Sequence, residues 1–344
     1  MERSSEKEDT NICGCGYVKG PLRGSSTKTI QLIGHEIAPG TRQNLEWVHP
    51  HKEGDDTVPP LSMVVHVVNG RKAGPILCLT AAIHGDELNG IAIVRRIIDG
   101  LDSETLHGVV IGIPVVNLDG FNQHDRYIGD HIDLNRCFPG DIGGSHPERV
   151  AYGIFNDIIV HSDAVVDLHT GSSLRENMVQ LRADLSHDNV AQLSAGFGDL
   201  SVMQSRPTAG TLRHAATEAG IAAVVMEIGG SQGVDYDKVC TGVEGVTSLL
   251  RSAGMVGEEG FIPVTQHVFL GGGWIRAEFG GILVNRVELG VVIRQGQLLA
   301  EIIDPFSSEV HRVVAPFTCT VLGRAHSQQV EPGFALFRVA MERL

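Results

Sequence analysis

Three features of the 344-residue sequence predict an α/β fold, a three-layer α/β/α domain on a mostly parallel mixed sheet, followed by a small all-β domain. The first is a set of short, β-branched apolar runs: LSMVVHVV from Leu61, PILCLTAAI, VVIGIPVV, AVVDLH and AAVVMEI. Strands covered on both faces read this way, as in a largely parallel sheet. The second is helical periodicity between those runs, which makes strands and helices alternate. The third is a change of texture after about Gly254, where glycine turns punctuate short strands and no helical pattern persists.

Taken in order, residues 1–28 are polar and glycine-rich and read as an irregular N-terminal segment. Residues 29–254 form the predicted α/β domain and 255–344 the β domain. Within the first, ELNGIAIVRRIIDGL places Ile91, Val94 and Ile98 on one helical face and stops at Asp99-Gly100. HPERVAYGIFNDIIV and GTLRHAATEAG are two further helices. Ligands of such sheets gather at the carboxyl ends of the strands, so chemistry is expected where the apolar runs stop.

Composition narrows the function classes. With 42% hydrophobic and 20% charged residues, the chain can bury a sizeable core. The net charge of −14 argues against nucleic acid and against an anionic membrane surface. The N-terminus MERSSEKEDT lacks an apolar signal region and no run approaches a membrane span, so a cytoplasmic location is expected. Six scattered cysteines, including the Cys13/Cys15 pair in CGCG, suggest neither a zinc ribbon nor a disulfide framework.

The strand PILCLTAAI ends in His84-Gly85-Asp86-Glu87, placing an imidazole and a carboxylate three residues apart at a strand end. Both are zinc ligands, and three protein ligands plus water is the usual catalytic arrangement. By itself H-x-x-E is weak in a chain with 16 histidines. A second apolar strand, AVVDLH, ends in His169 and could complete a His₂Glu site. Glu227 in AAVVMEIGG is a candidate general base, or a carboxylate that merely pairs with an arginine. In RYIGDHIDLNRCFPG, Arg126, Asp133, Asn135 and Arg136 offer two guanidinium forks and an amide. Such forks bind carboxylates, although DLNR also reads as a structural turn with an internal salt bridge.

Joined in order, HGDE, DLNRCFPG, DLHTG and MEIGG resemble the succinylglutamate desuccinylase/aspartoacylase family, relatives of the zinc carboxypeptidases, over about residues 60–344. The resemblance implies a zinc-carboxypeptidase-like α/β domain and one Zn²⁺ per chain on His84, Glu87 and His169. It implies Glu227 as general base and acid, and Arg126 as the group that polarises the scissile carbonyl. Asn135 and Arg136 would bind the substrate's amino-acid carboxylate, and Asp133 would orient His84. The implied activity is hydrolysis of the amide bond of a small N-acyl amino acid. A metallocarboxypeptidase acting on short peptides is the alternative, and a homo-oligomer is compatible with either.

The best-known family members carry a further arginine shortly before the catalytic glutamate. Here that stretch holds only Arg213, at a different spacing, and Arg175 and Arg182 are either substitutes or an ordinary surface pair. The segment GGILVNRVELGVVIRQGQLLAEI resembles a lipoyl/biotinyl-carrier hammerhead, but carriers attach their group to lysine, and the last lysine is Lys238.

Overall fold

The structure is a computed structural model that describes residues 29–48, 62–129, 131–172, 174–257 and 265–342. The irregular segment expected over 1–28, with its CGCG, lies outside them. The described chain opens with a hairpin of β1 (Ile30–Leu32) and β2 (His35–Ile37). Its turn residues Ile33 and Gly34 have φ of 53° and 71°, the double positive φ that suits a two-residue hairpin. The elements that follow are β3 (Thr41–Val48), β4 (Ser62–Asn69), β5 (Lys72–Ala81), α1 (Asn89–Gly100), β6 (His107–Ile113), α2 (Leu118–Gln123) and α3 (His146–Asp157). Next come β7 (Ala164–Gly171), β8 (Arg175–Ala183), α4 (Asp188–Ala195), β9 (Val202–Gln204), α5 (Leu212–Glu218), β10 (Ala222–Gly230) and α6 (Tyr236–Ser252).

The helix starts follow local chemistry. At α3 Ser145 and Glu148 form a capping box with proline in the first turn, satisfying amides that the first turn leaves free. Thr211 and Asp235 accept hydrogen bonds from the third helical residues of α5 and α6. Helices α1, α4 and α6 pack on one face of the sheet through Ile93, Val94, Leu193, Val246 and Leu249. Helices α3 and α5 cover the other through Val150, Ile154, Leu212 and Ala216. Three layers result, because strands buried on both faces need helices on both.

The sheet is mixed. Strands β6, β5, β7 and β10 are mutually parallel at its centre; β4 runs against β6 and β3, and β8 runs against β10 but parallel to β9. At β5 and β7, runs of fully buried residues occupy this centre.

The C-terminal segment is all β, with β11 (Val268–Arg276), β12 (Gly281–Asn285), β13 (Val292–Ile293), β14 (Leu298–Ile303), β15 (Val310–Val314), β16 (Cys319–Ala325), β17 (Gln329–Val330) and β18 (Ala335–Glu342). It has its own core around Leu283, Leu299, Leu336 and Phe337. Part of it folds as a four-stranded sheet in the order β15-β14-β12-β17. The rest continues the main sheet: β11 pairs in parallel with β9, β16 pairs with β8, and twelve described strands run from β13 to β3. The change of texture near Gly254 therefore marks a change of element type, while backbone hydrogen bonding crosses it.

Candidate active site

The site is assembled at the carboxyl ends of β5, β7 and β10. After β5, Ala82 adopts φ 49°, a conformation that non-glycine residues avoid. It turns the chain so that Ile83 and His84 leave the strand into the interior, with His84 at 3% and Glu87 at 2% exposure. Gly85 is required here, since a Cβ on it would lie 2.0 Å from the Gly120 carbonyl carbon. His169 lies two residues before the end of the buried strand β7, and the parallel register of β10 against β7 pairs Glu227 with His169.

Among the described residues, His84, Glu87 and His169 bring one ligand atom each to within 4.8 Å of one another. Both imidazoles are gripped alike. Nδ1 of His84 is 2.7 Å from Glu87 Oε1, and Nδ1 of His169 is 3.0 Å from Oε2. Their Nε2 atoms face aspartates, Asp133 at 3.2 Å and Asp167 at 2.7 Å. Glu87 also accepts from the Thr170 amide at 2.8 Å and the Ser172 hydroxyl at 2.7 Å. Burial alone would raise the Glu87 pKa, but His84 and His169 hold it well below the ordinary carboxylate value. Burial alone would depress His169, but Asp167 and Glu87 hold it well above the ordinary imidazole value. His84 is raised in the same way against its burial, by Glu87 and Asp133. Two imidazoles and one carboxylate, buried and convergent, are a donor set that suits a divalent metal such as zinc.

Arg126 donates to Ser172 Oγ at 2.7 Å and to Asp133 Oδ2 at 3.0 Å, which aims its guanidinium at the cluster. Asn135 is buried, receives the Leu212 amide at 2.8 Å on its Oδ1, and has its Nδ2 3.4 Å from His169 Nε2. Arg136 is half exposed and donates to the Asn135 carbonyl oxygen at 2.6 Å. Glu227 is 8% exposed. It accepts a hydrogen bond from Asn177 Nδ2 at 2.8 Å and forms an ion pair with Arg182 Nη2 at 3.0 Å. An arginine partner for Glu227 is thus present, supplied by β8.

His84, Glu87, His169, Arg126, Asn135, Arg136 and Glu227 line a single cavity of about 480 Å³, with Asp133 and Asp167 behind it. Its wall also carries Arg175, Arg182, Arg213, Asn177 and, from the C-terminal segment, Trp274. Five arginines face two carboxylates there, so an acidic protein encloses a cationic cavity. Arg213 is 9% exposed, and burial, then the neighbouring charge of Arg182, lowers its pKa to about 10. The spacing of Arg213, Arg175 and Arg182 from the motifs did not reveal a shared wall; the antiparallel pairing of β8 with β10 puts Arg182 there. Sequence reasoning missed Asp167, Ser172, Asn177 and Trp274. Asp167 left one signal, an acid inside an otherwise apolar strand.

A buried His-Glu-His cluster that could hold a metal thus lies beside a carboxylate from the neighbouring strand of an α/β sheet. Residues 73–253 match the succinylglutamate desuccinylase/aspartoacylase catalytic domain model, and the chain belongs to that family. It is 29% identical over 260 residues to N-alpha-acetyl-L-2,4-diaminobutyric acid deacetylase of Halomonas elongata, covering 72% of this chain and 76% of that one. Its fold is similar to a succinylglutamate desuccinylase from Silicibacter sp. TM1040, with a TM-score of 0.78 and 20% identity over 94% of this chain and 99% of the other. The product-bound ectoine utilization protein EutE (DoeB) from Ruegeria pomeroyi gives a TM-score of 0.77 at 20% identity, covering 94% and 100%. An aspartoacylase family protein from Mesorhizobium loti gives 0.77 at 23% identity, covering 89% and 96%. Among the described residues no helix is long and apolar enough to cross a membrane.

Proposed function

We propose that the protein hydrolyses the amide bond of a small N-acyl amino acid. The observation that carries this reading is the placement of Glu227 beside His169 by strand register, in the cavity that holds the His84–Glu87–His169 cluster. Family membership and the deacetylase relative support the same reaction class. A zinc ion held by His84, Glu87 and His169 would supply a Lewis acid at which water loses a proton near neutral pH.

The chain's own residues divide the remaining work. Glu227 takes a proton from the attacking water and returns it to the departing amine. Asn177 and Arg182 orient its two oxygens from β8. Arg126, locked by Ser172 and Asp133, polarises the scissile carbonyl as negative charge develops on its oxygen. Arg136 and Asn135 receive the amino-acid carboxylate, and Asp133 orients His84 through Nε2.

A hydrolysis screen over N-acyl amino acids of varied acyl length and side-chain charge, run beside short peptides and with metal analysis, tests the reading. Turnover of N-acyl amino acids that chelation abolishes and zinc restores is the expected result. Cleavage of peptides alone assigns the site to a carboxypeptidase, and fewer than about 0.2 metal ions per chain after zinc loading removes the metal from the scheme.

A further inference from the structure

Asp167 is a carboxylate in the middle of the sheet. It lies in β7, whose eight residues are all buried, and is itself 1% exposed. Aspartate is disfavoured in strands, and burying a charge costs several kcal/mol unless it is paired. The fold offers no reason for a charge at this position, since the adjacent Val165, Val166 and Leu168 are fully buried apolar residues.

Its two oxygens have separate partners. Oδ1 accepts from the Thr80 hydroxyl on the neighbouring parallel strand β5 at 2.8 Å. Oδ2 lies 2.7 Å from His169 Nε2. The register pairs Thr80 with Asp167 directly, and residues two apart on a strand share a face, so Asp167 and His169 point the same way. Both carboxylates beside the ring only accept, and Asp167 at 2.7 Å is nearer than Glu87 at 3.0 Å, so the single proton of a neutral ring sits on Nε2 and leaves the Nδ1 lone pair on the side of Glu87. The second donor near Nε2, Asn135 Nδ2 at 3.4 Å, is farther away and is tied to Leu212 through its Oδ1.

We propose that Asp167, braced by Thr80, is a positioning residue that holds His169 as its Nε2–H tautomer with Nδ1 free for the metal. It does for His169 what Asp133 does for His84, from a different element: one aspartate comes from the loop before the Leu134–Arg136 turn, the other from the strand itself. The inference rests on the reading of His84, Glu87 and His169 as metal ligands. Aspartates behind ligating histidines fix ring orientation and basicity, and losing one costs 10- to 100-fold in metal affinity.

The experiment measures zinc affinity of the metal-free full-length protein by chelator competition, alongside its thermal unfolding. Asp167→Asn is isosteric but removes the negative charge that faces Nε2, and zinc should bind about 10- to 100-fold more weakly with the metal-free unfolding unchanged. Thr80→Val, which removes only the brace, should weaken zinc less, about threefold to tenfold, below the range for loss of the aspartate itself. In the zinc-loaded wild type, ¹⁵N spectra of labelled histidine should show His169 protonated on Nε2. Zinc affinity of Asp167→Asn within about twofold of wild type overturns the proposal and leaves the metal site standing, as the 10- to 100-fold expectation would not be met. A His169 protonated on Nδ1 in the zinc-loaded wild type overturns it equally, and decides the matter if Asp167→Asn does not fold. A wild type that binds no zinc overturns the metal reading, and this inference with it.

Discussion

Arg182 reaches diagonally across an antiparallel strand pair to Glu227. The β8–β10 register sets Gln180 opposite Glu227 and Arg182 opposite Val225, and the guanidinium crosses back to place Nη2 3.0 Å from Oε1. The other carboxylate oxygen is taken by Asn177 at 2.8 Å. The side chain proposed as the base is thereby fixed by two contacts from one strand. Arg182→Met should preserve the fold and zinc content while lowering kcat/KM about tenfold or more, since removing one partner leaves a nearly buried charge uncompensated. Steady-state kinetics with circular dichroism and metal analysis check this, and unchanged kinetics would show that the ion pair has no part in positioning Glu227.

Glu227→Gln keeps the shape of the side chain and its contact with Asn177 but cannot take a proton. Turnover should fall by about 100-fold or more with zinc still bound. Full activity in this variant eliminates Glu227 as the base.

The charge of the cavity makes a statement about substrates. Arg126, Arg136, Arg175, Arg182 and Arg213 face Glu87 and Glu227 in one wall. Arg175 forms no ion pair among the described residues; it lies over the faces of Trp274 and Phe334, 5.5 and 5.0 Å from their centroids. A substrate bearing a second carboxylate should have kcat/KM about tenfold or more above its analogue with a cationic side chain, because like charges in a partly desolvated wall repel by more than 1 kcal/mol. Paired assays of N-acetyl aspartate and N-acetyl diaminobutyrate would read this directly, and equal rates contradict it.

Gly85 allows the turn after β5 to meet helix α2 beside the metal-ligand candidates. An alanine Cβ there would lie 2.0 Å from the Gly120 carbonyl carbon and 2.1 Å from the Phe121 amide nitrogen. Both are backbone atoms that cannot rotate away. Gly85→Ala should destabilise the fold by about 3 kcal/mol and displace His84. Chemical denaturation and zinc titration measure the two effects, and wild-type behaviour in both would mean that the turn and helix α2 can part without cost.

Glu176 ties the C-terminal segment to β8. It receives Arg324 Nε at 2.6 Å and lies 3.5 Å from Lys238 Nζ. Burial alone would raise its pKa, but the hydrogen bond and charge of Arg324, with Lys238, bring it below the ordinary glutamate value. A carboxyl depressed in the folded state stabilises above its unfolded pKa, and that stability is lost as pH falls through the folded value. Glu176→Gln should therefore cost about 1–3 kcal/mol at pH 7, and the difference from wild type should shrink below about pH 4.5. Urea melts at several pH values test the prediction, and a gap that does not narrow as pH falls refutes it.

Much of the site was legible because its signals are local. Apolar runs ending in His84 and His169, and the capped starts of α3 and α5, depend on residues a few positions apart. The strand expected over AVVDLH runs from Ala164 to Gly171, and that over AAVVMEI from Ala222 to Gly230. Strand β8 leaves little local signal beyond its arginines, since RENMVQLRA alternates weakly and carries charge at both ends. It matters because it supplies Asn177 and Arg182 to Glu227, a pairing between residues 50 and 45 positions apart.

The sequence by itself determined the alternation of strand and helix, the change to all-β texture, and the order of the motifs, which are properties of short windows and of residue type. Tertiary structure decided which strands are neighbours. Strand β7 lies between β5 and β10, which sets Asp167 against Thr80 and Glu227 beside His169. The C-terminal strands β11 and β16 extend the same sheet and bring Trp274 into the cavity wall. These relations depend on hydrogen-bond register between distant segments, and no local periodicity encodes register between strands that many residues separate.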